Sequence, residues 1–240
     1  MIDFTKRHDG LEIMDNFQDS REELPYIFKD INRVNHILGG NDITVNAVFK
    51  LIKEFSKESY TILDMGCGDG YMLKTLAEEA RKRNIPMSFI GVDLNEDALT
   101  LARKETVDFP EISYAQKDIL GADFSDYNCD IVITTLTMHH FENKDILMFL
   151  KRFITLATIG VVVNDLERSV LAYYLFQVFG LIFIKTKVAK VDGSISIRKG
   201  FKREELELLS KKISDVSHEI KWKWAFRYVW IMRKRRLTNI

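Results

Sequence analysis

The chain has 240 residues, 46% hydrophobic and 29% charged, with 12 glycines, 3 prolines, 2 cysteines and zero net charge. A chain of this length and apolar content supports a full hydrophobic core, which excludes intrinsic disorder. Two cysteines exclude a disulfide framework, and no Cys/His spacing reads as a zinc site, so a reducing cytoplasmic setting and no metal are expected.

The N-terminal MIDFTKRHDG lacks the apolar run of a signal peptide. Leu24, Ile27, Phe28, Ile31 and Val34 recur at helical spacing, and Gly39-Gly40 marks the end of that helix. Val45, Val48, Phe49, Ile52 and Phe55 predict a second helix, with Asn41 or Asp42 near its cap. From Tyr60 the pattern changes. Short apolar strands are predicted at 60–63, 87–92, 112–116, 130–136 and 159–163. Helices are predicted between them, around Leu73–Ala80, Ala98–Ala102 (capped by Asn95) and Ile146–Ala157. Strands alternating with helices, and apolar on both faces, predict an α/β fold: a doubly wound, mostly parallel seven-stranded sheet. Such sheets take ligands at the carboxyl ends of their strands.

The remainder departs from that rhythm. Ser169–Ile184 reads as an aromatic-rich helix, and its apolar run of 15 residues, 170–184, falls short of the roughly 20 that span a bilayer. Lys185–Lys199 is polar, and Asp192-Gly193 within it is a turn signal. A helix at Leu206–Ile213 and strands at 218–224 and 226–232 would complete the sheet. The expected organisation is an N-terminal helical cap over 1–58 and a ligand-binding domain over 59–240, with an insertion near 169–199. Residues 1–180 carry 19 basic and 29 acidic side chains, and residues 181–240 carry 16 and 6. That asymmetry suits either a solvated basic face or contact with an anionic surface. No segment resembles a nucleic-acid-binding module.

The strongest chemical signal is Asp64-x-Gly66-x-Gly68-x-Gly70 between a strand and a helix. Backbone without Cβ atoms can turn sharply and approach a ligand closely. Asp93 ends the next strand, where a carboxylate can accept both hydroxyls of a ribose. Asp118 follows the third strand, where it can accept from an adenine amino group while Ile119 packs on the ring. Tyr71 stands where the dinucleotide fingerprint has its third glycine, which disfavours a nicotinamide-dependent oxidoreductase.

With these motifs together, the chain resembles the class I S-adenosylmethionine-dependent methyltransferases across residues 60–70, 90–101, 116–120 and 129–141. The resemblance implies that S-adenosylmethionine is the cofactor and S-adenosylhomocysteine the product. It carries the cofactor-binding role onto Asp64, Gly66, Cys67, Gly68, Gly70, Asp93, Leu94, Asp118, Ile119 and Thr135. Thr134–Phe141 is further similar to ubiquinone- and menaquinone-biosynthesis methyltransferases. Glu12–Asp15, Ile31–Gly40 and Asn164–Arg168 look like a bacterial subgroup acting on quinone-like or polyketide-derived phenols. Where such relatives often carry His after Asp-Leu, this chain has Glu167.

Methyl transfer from a sulfonium requires alignment, exclusion of water and, for a hydroxyl or ring carbon, removal of a proton. His139, His140 and Asp165 are the candidate catalytic residues, an unperturbed imidazole having a pKa of about 6.5. The expected acceptor is a small lipophilic aromatic or quinone-like molecule, not nucleic acid. The apolar 170–184 segment reads as a lid over an acceptor pocket, or as a helix buried against the domain or in a homodimer. Lys185, Lys187, Lys190 and Arg233–Arg236 suit a peripheral approach to a membrane. A protein that binds the cofactor without methyl transfer is the alternative.

Overall fold

The computed structural model describes residues 2–15 and 22–235. One sheet contains β1 (Tyr60–Met65), β2 (Met87–Asp93), β3 (Ile112–Gln116), β4 (Cys129–Thr135), β5 (Ala157–Leu166), β6 (Val216–Lys223) and β7 (Arg227–Lys234). Its order is β3-β2-β1-β4-β5-β7-β6. Strands β1 to β5 run parallel, and β7 lies antiparallel between β5 and β6. The helices are α1 (Leu24–Ile37), α2 (Gly40–Glu54), α3 (Tyr71–Lys82), α4 (Glu96–Glu105), α5 (Asn143–Leu156), α6 (Val170–Phe183), α7 (Lys187–Lys199) and α8 (Arg203–Ser210).

Alternation along each strand feeds two cores. Ile131, Ile133, Val229 and Ile231 pack beneath α2 and α3. Val132, Tyr228, Trp230 and Met232 pack on the opposite face with α5 and Leu206 of α8. Because β1 sits between β2 and β4, successive connections leave it in opposite directions. A crevice opens at the carboxyl ends of β1 and β4.

Helix α2 begins at Gly40 with Gly39 as its cap, whose φ of 68° ends α1, so Asn41 and Asp42 stand in the first turn, near the cap as expected. Two other local expectations are corrected. Strand β4 stops at Thr135, because Leu136 turns to φ 54° and leads into a 3-10 turn at Met138–His140. The polar 185–199 segment is largely the helix α7, which runs straight through Asp192-Gly193. Tertiary contacts overrule the turn signal there. Thr186 caps the helix by accepting the Ala189 N–H, and the Asp192 carboxylate accepts the N–H groups of Ile13 and Met14. Gly193 lies against Phe176 of α6, whose ring would be 2.2 Å from a Cβ at that position.

The N-terminal segment is drawn to the same end of the sheet. Arg7 donates from Nη2 to the carbonyls of His139 and Phe141, and from Nε to the carbonyl of Lys199. This places the 3-10 turn Ile13–Asp15 beside α7. Among the described residues no helix is long and apolar enough to cross a membrane.

Candidate active site

The β1–α3 loop turns on three glycines at φ 80° (Gly66), 54° (Gly68) and 73° (Gly70). A side chain at Gly66 would collide with Thr137, since its Cβ would lie 2.3 Å from Cγ2. The N–H groups of Gly66 and Cys67 both donate to the Val92 carbonyl, which ties the loop to the end of β2. Gly66, Cys67 and Gly68 line a cavity of about 740 Å³. Gly70 is not on that wall. It precedes α3, and a Cβ there would lie 2.2 Å from the Tyr114 hydroxyl, so its role is packing and chain reversal.

Three carboxylates gather behind the loop. Asp93 accepts the Gly68 N–H at 2.8 Å through Oδ2 and the Asn95 N–H at 2.9 Å through Oδ1, and it faces the cavity rather than bulk solvent. Burial raises its pKa against those backbone hydrogen bonds. Asp64 is buried with Oδ1 lacking any hydrogen-bond partner, and burial plus the Asp93 charge push its pKa up to about 8. Asp69 accepts from Asn32 Nδ2 at 2.6 Å, and burial pushes its pKa up to about 6. An orphaned acid beside a clamped one, on backbone stripped of Cβ atoms, is a donor-seeking cradle. It fits a ligand with hydroxyls, an amine and positive charge.

Ile119, Leu94 and Thr135 also line the cavity. The Thr135 hydroxyl lies 3.0 Å from that of Thr44, which in turn accepts from Asn164 Nδ2 at 2.9 Å. Asp118 does not reach the cavity. It is exposed, and Oδ1 accepts the Leu120 N–H two residues on at 2.8 Å. That local turn satisfies the carboxylate and directs it outward, so only Ile119 is delivered at this position.

The opposite end of the cavity holds the predicted histidines. His139 is buried, with Nδ1 2.7 Å from Asp165 Oδ1 and its backbone N–H on Asp165 Oδ2. Burial lowers its pKa, but the charge and hydrogen bond of Asp165, aided by Glu12, overcome this and push it up to about 9. The expectation of an unperturbed imidazole is corrected accordingly. His140 is part-exposed and lines the cavity, with Nδ1 3.2 Å from Asp15 Oδ1. Asp165 lies behind His139 and is not on the cavity wall. It therefore positions the ring rather than touching a ligand.

Several wall residues were not anticipated from the motifs. Glu12, just before the distant N-terminal turn, faces both histidines, and Asp15 within that turn faces His140. Arg227 is buried, donates to Asn35 Oδ1 at 2.6 Å and leaves Nη1 without a partner. Burial holds its pKa down at about 10 even beside Asp165. Phe28 and Asn32 of α1 close over the glycine loop. In the sequence Glu12–Asp15 signals a subgroup resemblance only, and nothing in the spacing of Arg227 signals a site.

A family model described as a methyltransferase domain matches residues 62–160. Over 113 residues, 45% of this chain, there is 30% identity to the ribosomal protein L11 methyltransferase of Aquifex aeolicus. Over 60 residues, 25% of this chain, there is 42% identity to the ubiquinone biosynthesis O-methyltransferase of Hydrogenovibrio crunogenus. The matched regions span only 42% and 22% of those two relatives. In three dimensions the chain superposes on the plantazolicin methyltransferase BpumL, solved with S-adenosylhomocysteine, at a TM-score of 0.64. That match has 15% identity and covers 93% of this chain and 99% of the other. Residues 62–160 thus match a methyltransferase domain, and the strand order and glycine–carboxylate cradle agree with that match, on a chain that shares the fold of an S-adenosylhomocysteine-bound methyltransferase.

Proposed function

We propose that the chain moves the methyl group of S-adenosylmethionine to a small, hydrophobic, aromatic or quinone-like acceptor. The carrying observation is the Asp93 carboxylate, clamped on the Gly68 N–H at the edge of a largely apolar cavity. When bound, the cofactor supplies an activated methyl group on a sulfonium centre. Asp93 accepts the ribose hydroxyls, with Leu94 and Ile119 flanking the base. The Gly66–Gly68 backbone and Asp64 receive the amino-acid part.

The acceptor end is walled by Leu175, Phe176, Phe179 and Ile182 of α6 and by Trp224 and Phe226. These side chains exclude water and hold a flat apolar molecule against the methyl donor. In this reading α6 is the lid. Arg227, with its unpartnered Nη1, offers a buried donor to an acceptor oxygen. Protons leaving a hydroxyl pass toward the Glu12–His140 edge, and the buried Asp165–His139 pair fixes the geometry of that edge.

The lipophilic acceptor also suits a protein that works at a lipid surface. Ile182 and Trp224 line the cavity and are 73% and 62% exposed, Leu181 beside Ile182 is 76% exposed, and Lys185, Lys187, Lys221 and Lys223 are exposed nearby in the sequence.

Calorimetry of the full chain with S-adenosylmethionine and S-adenosylhomocysteine tests the cofactor assignment, with one equivalent of each expected to bind. A panel of phenols and hydroquinones, read by mass spectrometry for one added methylene, tests the acceptor class. Absence of binding by both nucleosides overturns the proposal, and a nicotinamide fluorescence response would redirect it to redox chemistry. Cofactor binding with every acceptor unchanged would favour the non-transferring alternative.

A further inference from the structure

We propose that Glu12, His139 and His140 form a binding site for a divalent transition metal of the zinc class at the acceptor end of the cavity. One donor atom from each residue lies within 4.8 Å of the others. His139 Nε2 is 3.6 Å from Glu12 Oε1, and His140 Nε2 is 3.8 Å from Glu12 Oε2. Tetrahedral ligands at about 2.0–2.1 Å from an ion stand roughly 3.3–3.4 Å apart, so donors lying within 4.8 Å of one another need to close by at most about 1.5 Å.

Two further observations point to an ion independently of that clustering. Glu12 Oε1 and His139 Nε2 are both buried without a hydrogen-bond partner, on side chains 6% and 3% exposed. Each faces the other across the gap. Second, both imidazoles are backed by carboxylates through the same ring atom. His139 Nδ1 meets Asp165 at 2.7 Å and His140 Nδ1 meets Asp15 at 3.2 Å. A carboxylate on Nδ1 keeps the proton on that nitrogen, so an ion that displaces the Nε2 proton meets the Nε2 lone pair, which is the arrangement of metal-bound histidines. Two rings prepared in this way and turned toward one carboxylate are hard to explain by packing.

Lys199 shares the site, with Nζ 3.5 Å from Glu12 Oε1 and 3.6 Å from Asp15 Oδ2. Its ammonium compensates the carboxylates and competes with a bound cation. Glu12, His139 and His140 all line the cavity, so three protein ligands leave an open position facing it. Sites of that type act on a ligand rather than only bracing the fold. An acceptor hydroxyl is the chemistry that fits the open position, because an ion stabilises such an oxygen as its anion. That last role rests on the methyltransferase reading, whereas the metal site itself does not.

The test uses the full chain, stripped with a chelator and dialysed against Zn²⁺ alone. Bound metal is read by elemental analysis and calorimetry, and the visible spectrum of the Co²⁺ form reports coordination. One equivalent per chain is expected. Glu12→Gln and His140→Ala should each weaken binding at least tenfold, and Asp15→Asn about tenfold. Lys199→Met should tighten it, which a purely structural cluster would not do. His36→Ala, at an exposed position of α1 off the cavity wall, is the control that leaves binding unchanged. Thermal melts confirm folding, and His140, being part-exposed, is the variant least prone to disturb it. No stoichiometric metal, or wild-type affinity in both Glu12→Gln and His140→Ala, overturns the proposal. Binding of S-adenosylhomocysteine is measured on the same samples. Its absence from wild type would overturn the methyltransferase reading while the metal result stands or falls separately.

Discussion

Replacing Asp93 by Asn separates the cost of a buried carboxylate from its use. Asp93 spends both oxygens on backbone donors, at 2.8 Å from Gly68 and 2.9 Å from Asn95, and burial raises its pKa. The amide keeps one acceptor oxygen, so one of those two bonds is lost, at about 1 kcal/mol. Against that loss, the variant no longer buries a charge near Asp64. The two effects oppose, and stability should move by no more than about 1 kcal/mol, or roughly 2–4 °C in Tm for a chain of this size. Cofactor binding has no such compensation. Hydrogen bonds from ribose hydroxyls to a charged acceptor contribute about 1.5–3 kcal/mol, so affinity should fall roughly 10- to 150-fold. Calorimetry with S-adenosylhomocysteine and a thermal melt on one preparation decide the matter. Unchanged affinity would refute the assignment of Asp93 to the ribose, and a fall of many degrees in Tm would show that its role is to hold the loop.

Three other outcomes follow from particular contacts. Gly193→Ala adds a good helix former, worth about 1 kcal/mol, but drives a Cβ into the Phe176 ring at 2.2 Å, where overpacking costs about 1–3 kcal/mol. Tm should fall, and Phe176→Leu should restore it; a rise in the single variant contradicts this packing. Burial raises the Glu219 pKa, but Lys221, Lys50 and Arg233 outweigh it and hold the group down at about 2, against 4.5 unperturbed. Its contribution is fully present above pH 4.5 and is lost as pH falls toward 2. After allowing for solvent screening that is about 1–2 kcal/mol, so melts between pH 6 and 2.5 should lose more in wild type than in Glu219→Gln. Leu181→Glu with Ile182→Glu should reduce co-sedimentation with anionic vesicles at least tenfold, since each apolar side chain contributes about 1.5–3 kcal/mol on burial. Light scattering that shows a dimer, with no vesicle binding by wild type, would assign this face to a second copy instead.

The nucleotide end of the site was legible in the sequence because its parts are contiguous. Strand, glycine turn and helix follow one another from Tyr60 to Lys82, and Asp93 closes the next strand by the same rule. The alternation of apolar strands and helices likewise determined the sheet, since each periodicity is local and repeats. Local signals failed where a distant contact outweighed them: Asp192-Gly193 stays helical because Ile13, Met14 and Phe176 occupy the space around it.

Asp118 carried the right residue type at the right strand end, yet its own Leu120 N–H captured it. Nor could spacing bring Glu12 to His139, or leave Arg227 buried beside Asn35, because elements far apart in the chain meet only after folding. Charge state belongs to that second category as well. The sequence supplied histidines, but whether a ring holds a proton depends on which carboxylates face it and how much water remains. Burial and partner geometry set both, and only the packed structure determines them.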